Sequence, residues 1–207
     1  MATSNPILAF KEADTRSRIL AAAQRLFRKR GYHATGLSDI LEVAKAPKGS
    51  LYHHFPGGKE AIGVCVVADM AQGLLQLLAD SRARSTEAML LQVGAQLTTV
   101  VEKTDFEICT LFAAFTAERK TSPELGNAVA SAYAAFAAAI SSRLQADGFT
   151  VRAAFNTALT VTALIEGGSM LSQVHRDTTA FRLSIKQASA LCRARTQTPG
   201  QRPLRAR

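Results

Sequence analysis

The sequence predicts an all-α protein with three short helices at its N-terminal end and longer helices over the rest of the chain. The 207-residue chain is rich in alanine and modest in glycine and proline, a composition that favours helices over disorder or a fibrous structure. Apolar residues recur at intervals of three and four along almost every segment, whereas no segment alternates as a strand would. A chain of this length folds as one domain or two small ones around a buried core.

The three N-terminal helices are bounded by start and stop signals. Asp14 can cap the first helix, because its carboxylate can accept hydrogen bonds from free backbone N–H groups. Gly31 ends this helix after a basic last turn, Pro47 suits the first position of the third helix, and Pro-Gly-Gly at 56–58 breaks the chain again. The second and third helices are predicted over 37–44 and 47–55.

The later helices are longer and follow from the same kinds of signal. One begins near Lys59 and ends at about 82–85, and another begins at Ser122-Pro123 and is stopped by Asp147-Gly148. The last two helices are predicted over 150–173 and 178–195.

The net charge of +9 is unevenly distributed. Residues 1–60 carry ten Lys or Arg against five Asp or Glu, whereas residues 61–192 carry ten against eleven. Residues 193–207 carry five Arg and no acidic residue. Basic ends around a neutral middle indicate an anionic partner, either nucleic acid or an anionic membrane, although a solvated basic surface without a partner gives the same pattern.

Several other classes of protein are disfavoured. The three cysteines, Cys65, Cys109 and Cys192, are scattered without a C-x-x-C pair, which argues against a disulfide framework or a zinc site. The longest apolar run, 132–140, is about half of the roughly 20 residues that a membrane span needs, and the first 13 residues do not form a signal peptide. We therefore expect a cytoplasmic protein that does not cross the membrane.

Enzyme motifs are missing from the sequence. It contains no glycine-rich phosphate loop, no G-x-S-x-G and no H-E-x-x-H, and its four histidines do not form a ligand pattern. A helical enzyme with a basic surface is the alternative in this class. We expect no catalytic residue, no cofactor and no metal.

The third helix suits DNA recognition. It follows the second after a tight turn, which is the arrangement of a helix-turn-helix, and Leu51 and Phe55 can anchor one of its faces in the core. Its other face offers a cation, small residues that allow close approach, and ring donors for phosphate oxygens. These residues are Lys48, Gly49, Ser50, Tyr52, His53 and His54. An ordinary solvated amphipathic helix is the alternative interpretation.

At this point the sequence resembles a known family. Gly31-Tyr32, Thr35, Ile40 and Ala44, followed by KGSLYHHF at 48–55 and Lys59-Glu60, resemble the N-terminal signature of TetR-type transcriptional regulators over about 50 residues. The stretch 46–60 is similar to the LmrA/YxaF branch in particular. That branch contains repressors of drug-efflux or aromatic-compound genes, which small and often flavonoid-like molecules release.

The resemblance implies a set of DNA-contacting residues. They are Thr35, Ser38, Lys48, Gly49, Ser50, Tyr52, His53, His54 and Lys59. Thr35 and Ser38 would bind phosphates at the start of the second helix, and Lys59 would do so at the start of the fourth. The residues of the third helix would face bases or the DNA backbone.

The sequence departs from the family pattern at three places. Lys45 stands in the turn where many members have glycine, so it is strained by about 1 kcal/mol if the turn needs a positive φ. Pro47 replaces a hydroxyl residue that often caps the recognition helix. The connection at 56–58 is one residue longer than usual, which leaves the position of Lys59 open.

The resemblance also implies an effector and dimer domain in the rest of the chain. The predicted dimer interface, on the last two helices, is Phe155, Leu159, Thr162, Gly167, Phe181, Ile185 and Ala188, with Gly167 and Gly168 allowing close approach. The alternative is that the glycine pair kinks the helix of a monomer. The predicted ligand pocket is Met70, Leu74, Phe106, Cys109, Phe112, Phe115, Tyr133, Phe136, Ile140 and Glu166, with Gln96, Thr99 and Asn156 as further polar candidates. Each apolar member also fits plain core, and Cys109 fits a buried hydrophobe or a redox sensor.

The predicted organisation has four parts. They are a flexible arm (1–13), a helix-turn-helix DNA-binding domain (14–60), a helical effector-binding and dimerisation domain (61–195) and a flexible basic tail (196–207). We expect a homodimeric repressor that binds a palindromic double-stranded DNA operator and is released by a small apolar or aromatic effector. A DNA-binding regulator without a small-molecule switch is the alternative.

Overall fold

The computed structural model describes residues 14–106, 110 and 112–193, and these residues form helices without any strand. The helices are α1 (Thr15–Arg30), α2 (Leu37–Ala44), α3 (Lys48–His54), α4 (Gly58–Ala79), α5 (Thr86–Lys103), α6 (Pro123–Ala146), α7 (Val151–His175) and α8 (Thr179–Leu191), with a 3₁₀ helix at Ala113–Lys120. The all-α prediction is confirmed. The predicted arm, the predicted basic tail and Cys109 lie outside the described residues.

The N-terminal helices begin and end close to their sequence signals. The Asp14 side chain accepts a hydrogen bond from the Ser17 backbone N–H at 2.7 Å, and Gly31 ends α1 with φ 81°. Helix α2 has the predicted bounds, but α3 is shorter than predicted. Pro47 is the N-cap of α3 and not its first helical residue, because its ψ of 148° is still extended.

Two hydrophobic clusters hold the helices together. The first joins α1, α2 and α3 to α4, the 3₁₀ helix and the start of α6, and it includes the fully buried side chains of Phe27, Leu51 and Leu125. The second is built from α5, α7, α8 and the far half of α6, with Ile140 and Phe181 among its members. The first cluster therefore crosses the predicted boundary at residue 60, so the DNA-binding helices share a core with the rest of the chain.

Two of the described helices, α4 and α6, are long and apolar enough to cross a membrane by length and composition. This is weak evidence, because core helices of soluble proteins meet the same criterion. Both helices contribute to the hydrophobic clusters, and this packing accounts for their apolar residues.

The turn between α2 and α3 has the strain that the sequence indicated. Lys45 lies in the left-handed region, with φ 49° and ψ 46°. Its N–H donates to the Glu42 carbonyl at 3.2 Å and the Ala46 N–H donates to the Leu41 carbonyl at 3.1 Å, which closes α2 and directs the chain into α3. A β-carbon is disfavoured in this conformation.

Replacing Lys45 with glycine is therefore expected to stabilise the fold by about 1 kcal/mol relative to Lys45→Ala. Alanine is the matched control, because it removes the same exposed lysine side chain but keeps the β-carbon. The free energy of unfolding measured by urea titration of the two variants tests this. Equal stability would show that the turn relaxes to avoid the strain.

Candidate DNA-binding and effector sites

Helix α3 is anchored on one face and presents its polar residues on the other. Leu51 and Phe55 are 0% and 2% exposed and belong to the first hydrophobic cluster. The Arg16 guanidinium lies 5.4 Å from the centre of the Phe55 ring and covers its outer side. Lys48, Gly49, Tyr52 and His53 are exposed, and Ser50 and His54 are half-buried. This is the geometry of a helix that can enter a DNA groove with its N-terminal half.

The two predicted phosphate contacts near the start of α2 differ in accessibility. Ser38 is exposed in the first turn of α2. Thr35 is 1% exposed, and its hydroxyl donates to the Gly31 carbonyl at 2.8 Å. Thr35 therefore holds the loop between α1 and α2 and does not present its hydroxyl to a phosphate in this structure.

Lys59 lies in the first turn of α4, but its ammonium group points into the protein. It donates to the His33 carbonyl at 3.3 Å and lies 4.4 Å from the centre of the Tyr32 ring. Burial lowers the pKa of Lys59, while the nearby Glu118 carboxylate acts in the opposite direction. A phosphate contact by Lys59 would require this ammonium group to leave the His33 carbonyl.

A polar cluster connects the helix-turn-helix to the 3₁₀ helix. The Nε2 atom of His33 lies 2.9 Å from Oε1 of Glu118, whose side chain is 2% exposed. The Thr121 hydroxyl donates to the other carboxylate oxygen at 2.9 Å. Sequence reasoning treated His33 as isolated, because its partner is 85 positions away in the chain. The cluster is a route by which movement of the 3₁₀ helix can reach the DNA-binding helices.

A cavity of about 260 Å³ lies between α1, α4, α5, α7 and α8, and we call it the central cavity. Its walls are mainly apolar, with a few polar side chains from α1, α4 and α7. The lining residues are Gln24, Arg28, Asp69, Met70, Gly73, Leu74, Leu77, Leu97, Val100, Val101, Thr110, Phe112, Ser169 and Phe181. An apolar cavity with few polar groups is typical of small-molecule sites.

A second cavity of about 290 Å³, the adjacent cavity, shares Arg28, Met70 and Thr110 with the first. It is also lined by Phe27 and Gly31, at the end of α1. Ligand sites commonly have volumes of roughly 300–1,000 Å³, so the two cavities reach this range only if they join. Gln24 and Arg28 were not among the predicted pocket residues, although both interrupt the apolar pattern of α1 one turn apart.

The predicted pocket residues do not surround one cavity. Met70, Leu74 and Phe112 line the central cavity, and Phe115 lines the adjacent one. Several others occupy different places. Phe136 and Ile140 are core residues of the second cluster, Phe106 lies beneath the Arg176 guanidinium, and Gln96, Thr99 and Asn156 are exposed outside both cavities.

Tyr133 and Glu166 stand behind the wall of the central cavity. The Tyr133 hydroxyl donates to Glu166 Oε1 at 2.7 Å, and the Phe112 backbone N–H donates to the same oxygen at 3.4 Å. The Tyr133 ring meets the Phe112 ring edge-on at 5.0 Å. Burial raises the pKa of Tyr133, and the Glu166 carboxylate raises it further. These two residues position Phe112 and do not themselves line either cavity.

The predicted dimer interface is partly buried inside the protomer. Phe155 is 55% exposed and Leu159 47% exposed, and Gly167 is also exposed. The other predicted members, Thr162, Phe181, Ile185 and Ala188, are buried. This corrects the prediction, because the apolar side of α8 packs against helices of its own protomer and is not free to meet a second copy.

Gly168 likewise faces α8 and not a free surface. A β-carbon at this position would lie 2.6 Å from Cβ of Ser184 and 3.0 Å from the Ala180 carbonyl oxygen. Gly168→Ala is therefore expected to lower the free energy of unfolding by about 1–3 kcal/mol, as overpacking typically does. Gly73→Ala is the control, because a β-carbon there meets nothing within 4 Å. Comparing urea unfolding of the two variants tests the close packing, and equal stability would contradict it.

An exposed apolar face nevertheless runs along α7, and we call it the α7 stripe. Its members recur every three or four residues from one end of the helix to the other. They are Phe155, Leu159, Ala163, Gly167, Met170, Leu171 and Val174. Leu183 and Leu191 of α8 are exposed as well. Extended apolar patches of this kind commonly mark protein–protein interfaces.

Comparison with known proteins identifies the family. Residues 19–62 match the family described as bacterial regulatory proteins, tetR family, and residues 81–187 match that of the LmrA/YxaF-like transcriptional regulator, C-terminal domain. The chain belongs to the TetR family of transcriptional regulators. The resemblance inferred from the sequence, including its LmrA/YxaF branch, is thereby confirmed.

The relatives of this TetR-family protein are regulators. It is 35% identical over 172 residues to the HTH-type transcriptional regulator LmrA of Bacillus subtilis, which covers 80% of this chain and 90% of that protein. It is 46% identical over 56 residues to the HTH-type transcriptional repressor NemR of Escherichia coli, covering 27% of this chain and 28% of NemR.

Solved structures share the fold. The reduced form of Escherichia coli NemR superposes with a TM-score of 0.71 at 25% identity, covering 86% of this chain and 97% of that one. A TetR regulator from Legionella pneumophila superposes with a TM-score of 0.78 at 21% identity, covering 87% and 98%. The protein is accordingly a DNA-binding transcriptional regulator with a helix-turn-helix, and members of its family bind DNA and act as dimers.

Proposed function

We propose that this TetR-family regulator is a cytoplasmic homodimeric repressor that binds a palindromic operator and is released by a small apolar or aromatic effector. Residues 14–60 form its DNA-binding unit and residues 61–195 its dimerisation and main effector-binding unit. The observation that carries this proposal is the lining of the central cavity. Gln24 and Arg28 of α1 face the same space as apolar residues of α4 and α5. An occupant therefore touches helices of both units and can favour one arrangement of them over another.

The DNA contacts that we propose are those whose side chains are accessible. Ser38, Lys48, Gly49, Ser50, Tyr52, His53 and His54 form this set. Thr35 supports the loop before α2, and Lys59 joins the set if its ammonium group exchanges the His33 carbonyl for a phosphate. The predicted interface residues Phe155, Leu159 and Gly167 lie on the α7 stripe, which we propose as the surface that pairs two protomers.

The alternative, a regulator without a small-molecule switch, is favoured by one measurement. The central cavity alone, at about 260 Å³, is slightly smaller than the roughly 300 Å³ at which ligand sites usually begin. In that case partner proteins or DNA alone would set its activity.

Reciprocal binding distinguishes the two functions. Operator DNA can be obtained by selecting bound sequences from a random pool, and effectors by screening aromatic compounds for release of that DNA. If an effector lowers operator affinity by some factor, the operator must lower effector affinity by the same factor. An effector that binds equally well with and without operator would exclude the switch.

A variant that fills the central cavity provides the structural control. Gly73 lies on its wall and has open space at the β-carbon position, so Gly73→Leu is expected to block the effector and to leave operator binding intact. Ala68→Leu is the matched variant, because Ala68 is exposed on the same helix and does not line the cavity. Effector release that survives in Gly73→Leu would place the effector elsewhere.

A further inference from the structure

Arg28 is an unpaired cation at an apolar site. It lies on α1, its Nε atom is buried, and that atom has no hydrogen-bond partner. Among the described residues, no carboxylate forms an ion pair with Arg28 within 4.0 Å. Burial lowers the pKa of the Arg28 guanidinium, and no neighbouring charge counters this effect. The folded protein therefore keeps a partly desolvated positive charge without compensation, which is costly unless another group supplies it.

The position of Arg28 in α1 does not explain this burial. Basic residues in the last turn of a helix interact favourably with its dipole, and α1 ends with Arg28, Lys29 and Arg30. That interaction is available to an exposed side chain. Arg30, two positions along, is exposed and lies 3.7 Å from the Asp39 carboxylate. Arg28 instead faces the wall that the central and adjacent cavities share.

We propose that Arg28 is the anion-binding residue of the effector site, and that the effector is an apolar or aromatic molecule carrying a carboxylate. This inference rests on the proposed function, because it names the chemical class of the effector. A guanidinium group binds a carboxylate through two parallel N–H···O bonds, and such charge-assisted bonds are strong where water is excluded. Met70, Leu74 and Phe112 would contact the apolar body, and Gln24, one turn before Arg28, can donate to the same carboxylate.

One acidic residue opposes an anion at this site. Asp69 also lines the central cavity, but it is exposed, so solvent screens its repulsion. The net preference for an anion therefore depends on the more buried Arg28. Because Arg28 belongs to α1, whose Phe27 packs edge-on against Phe115 at 5.7 Å, an ion pair formed there acts directly on a helix of the DNA-binding unit.

The test compares two ligands that differ only in charge, 2-naphthoate and its neutral amide, 2-naphthamide. Isothermal titration calorimetry measures both against the full-length protein without DNA. We expect 2-naphthoate to bind about tenfold or more tightly than the amide, and we expect Arg28→Gln to abolish this difference. Arg28→Lys should restore part of it, because lysine supplies the charge without the bidentate geometry. Arg25→Gln is the matched control, since Arg25 is an exposed cation of the same helix and should leave the preference unchanged.

Three results would overturn the inference. They are an amide that binds as tightly as the carboxylate, a preference that Arg28→Gln leaves intact, and a carboxylate that does not bind at millimolar concentration. Operator release separates this inference from the proposed function. If both ligands release operator equally well, the ligand switch stands and the anion site fails. If 2-naphthoate binds through Arg28 but leaves operator affinity unchanged, the anion site stands and the switch fails.

Discussion

Replacing Phe155 and Leu159 together with glutamate is expected to convert the protein from a dimer to a monomer and to abolish tight operator binding. The two side chains are 55% and 47% exposed on the α7 stripe. Burying one such side chain contributes about 1.5–3 kcal/mol, and a two-fold interface contains each of them twice. Glutamate removes this contribution and also places charges where the two stripes would meet.

Sedimentation velocity gives the oligomeric state, and circular dichroism verifies that the helices remain. Val43→Glu is the control for oligomeric state, because Val43 is 45% exposed on α2, far along the chain from the α7 stripe. This control should stay dimeric. A Phe155→Glu, Leu159→Glu protein that remains dimeric would assign the interface to another surface. Loss of the dimer should also weaken DNA binding, because a single recognition helix reads only one half-site.

Lys48→Ala and Tyr52→Ala are each expected to weaken operator binding by about 1–3 kcal/mol. Both side chains are exposed on α3, with Tyr52 49% exposed, while Leu51 between them is fully buried. The substitutions therefore remove groups that face the DNA without disturbing the anchor of the helix. If Lys48 binds a phosphate, its loss should also reduce the dependence of affinity on salt by about one counterion for each contact.

Gel-shift titrations with the selected operator at two salt concentrations measure both effects. Arg84→Ala is the matched control for loss of a positive charge, because Arg84 is exposed between α4 and α5, outside the DNA-binding unit. It should leave affinity nearly unchanged. Wild-type affinity in Lys48→Ala and Tyr52→Ala would reject the assignment of these residues.

The N-terminal part of the fold was predictable in detail because its signals are local. Asp14 and Gly31 bound α1 through hydrogen bonds and backbone conformations that involve residues within one turn. The left-handed conformation of Lys45 also follows from a single turn. Local interactions of this kind are encoded within a few neighbouring residues, so the sequence alone contains them.

The effector site was less predictable because it depends on contacts between distant residues. Apolar spacing marked Phe112 and Phe136 equally, but only Phe112 lines a cavity, while Phe136 is core. Arg28 could be assigned to a basic helix end from the sequence, but not to a buried wall. Periodicity identifies which face of a helix is apolar, yet it does not identify the helix that packs against that face.

The sequence by itself determined the all-α class, the helix-turn-helix with its exposed residues on α3, and the TetR family. Only the tertiary structure decided that Phe181 and Ile185 face their own protomer while the α7 stripe remains exposed. It also decided that Lys59 turns toward His33 and that Arg28 enters the cavity wall. The physical reason is that caps, turns and helix faces depend on neighbouring residues, whereas burial and ion pairing depend on which distant segments the packed fold brings together.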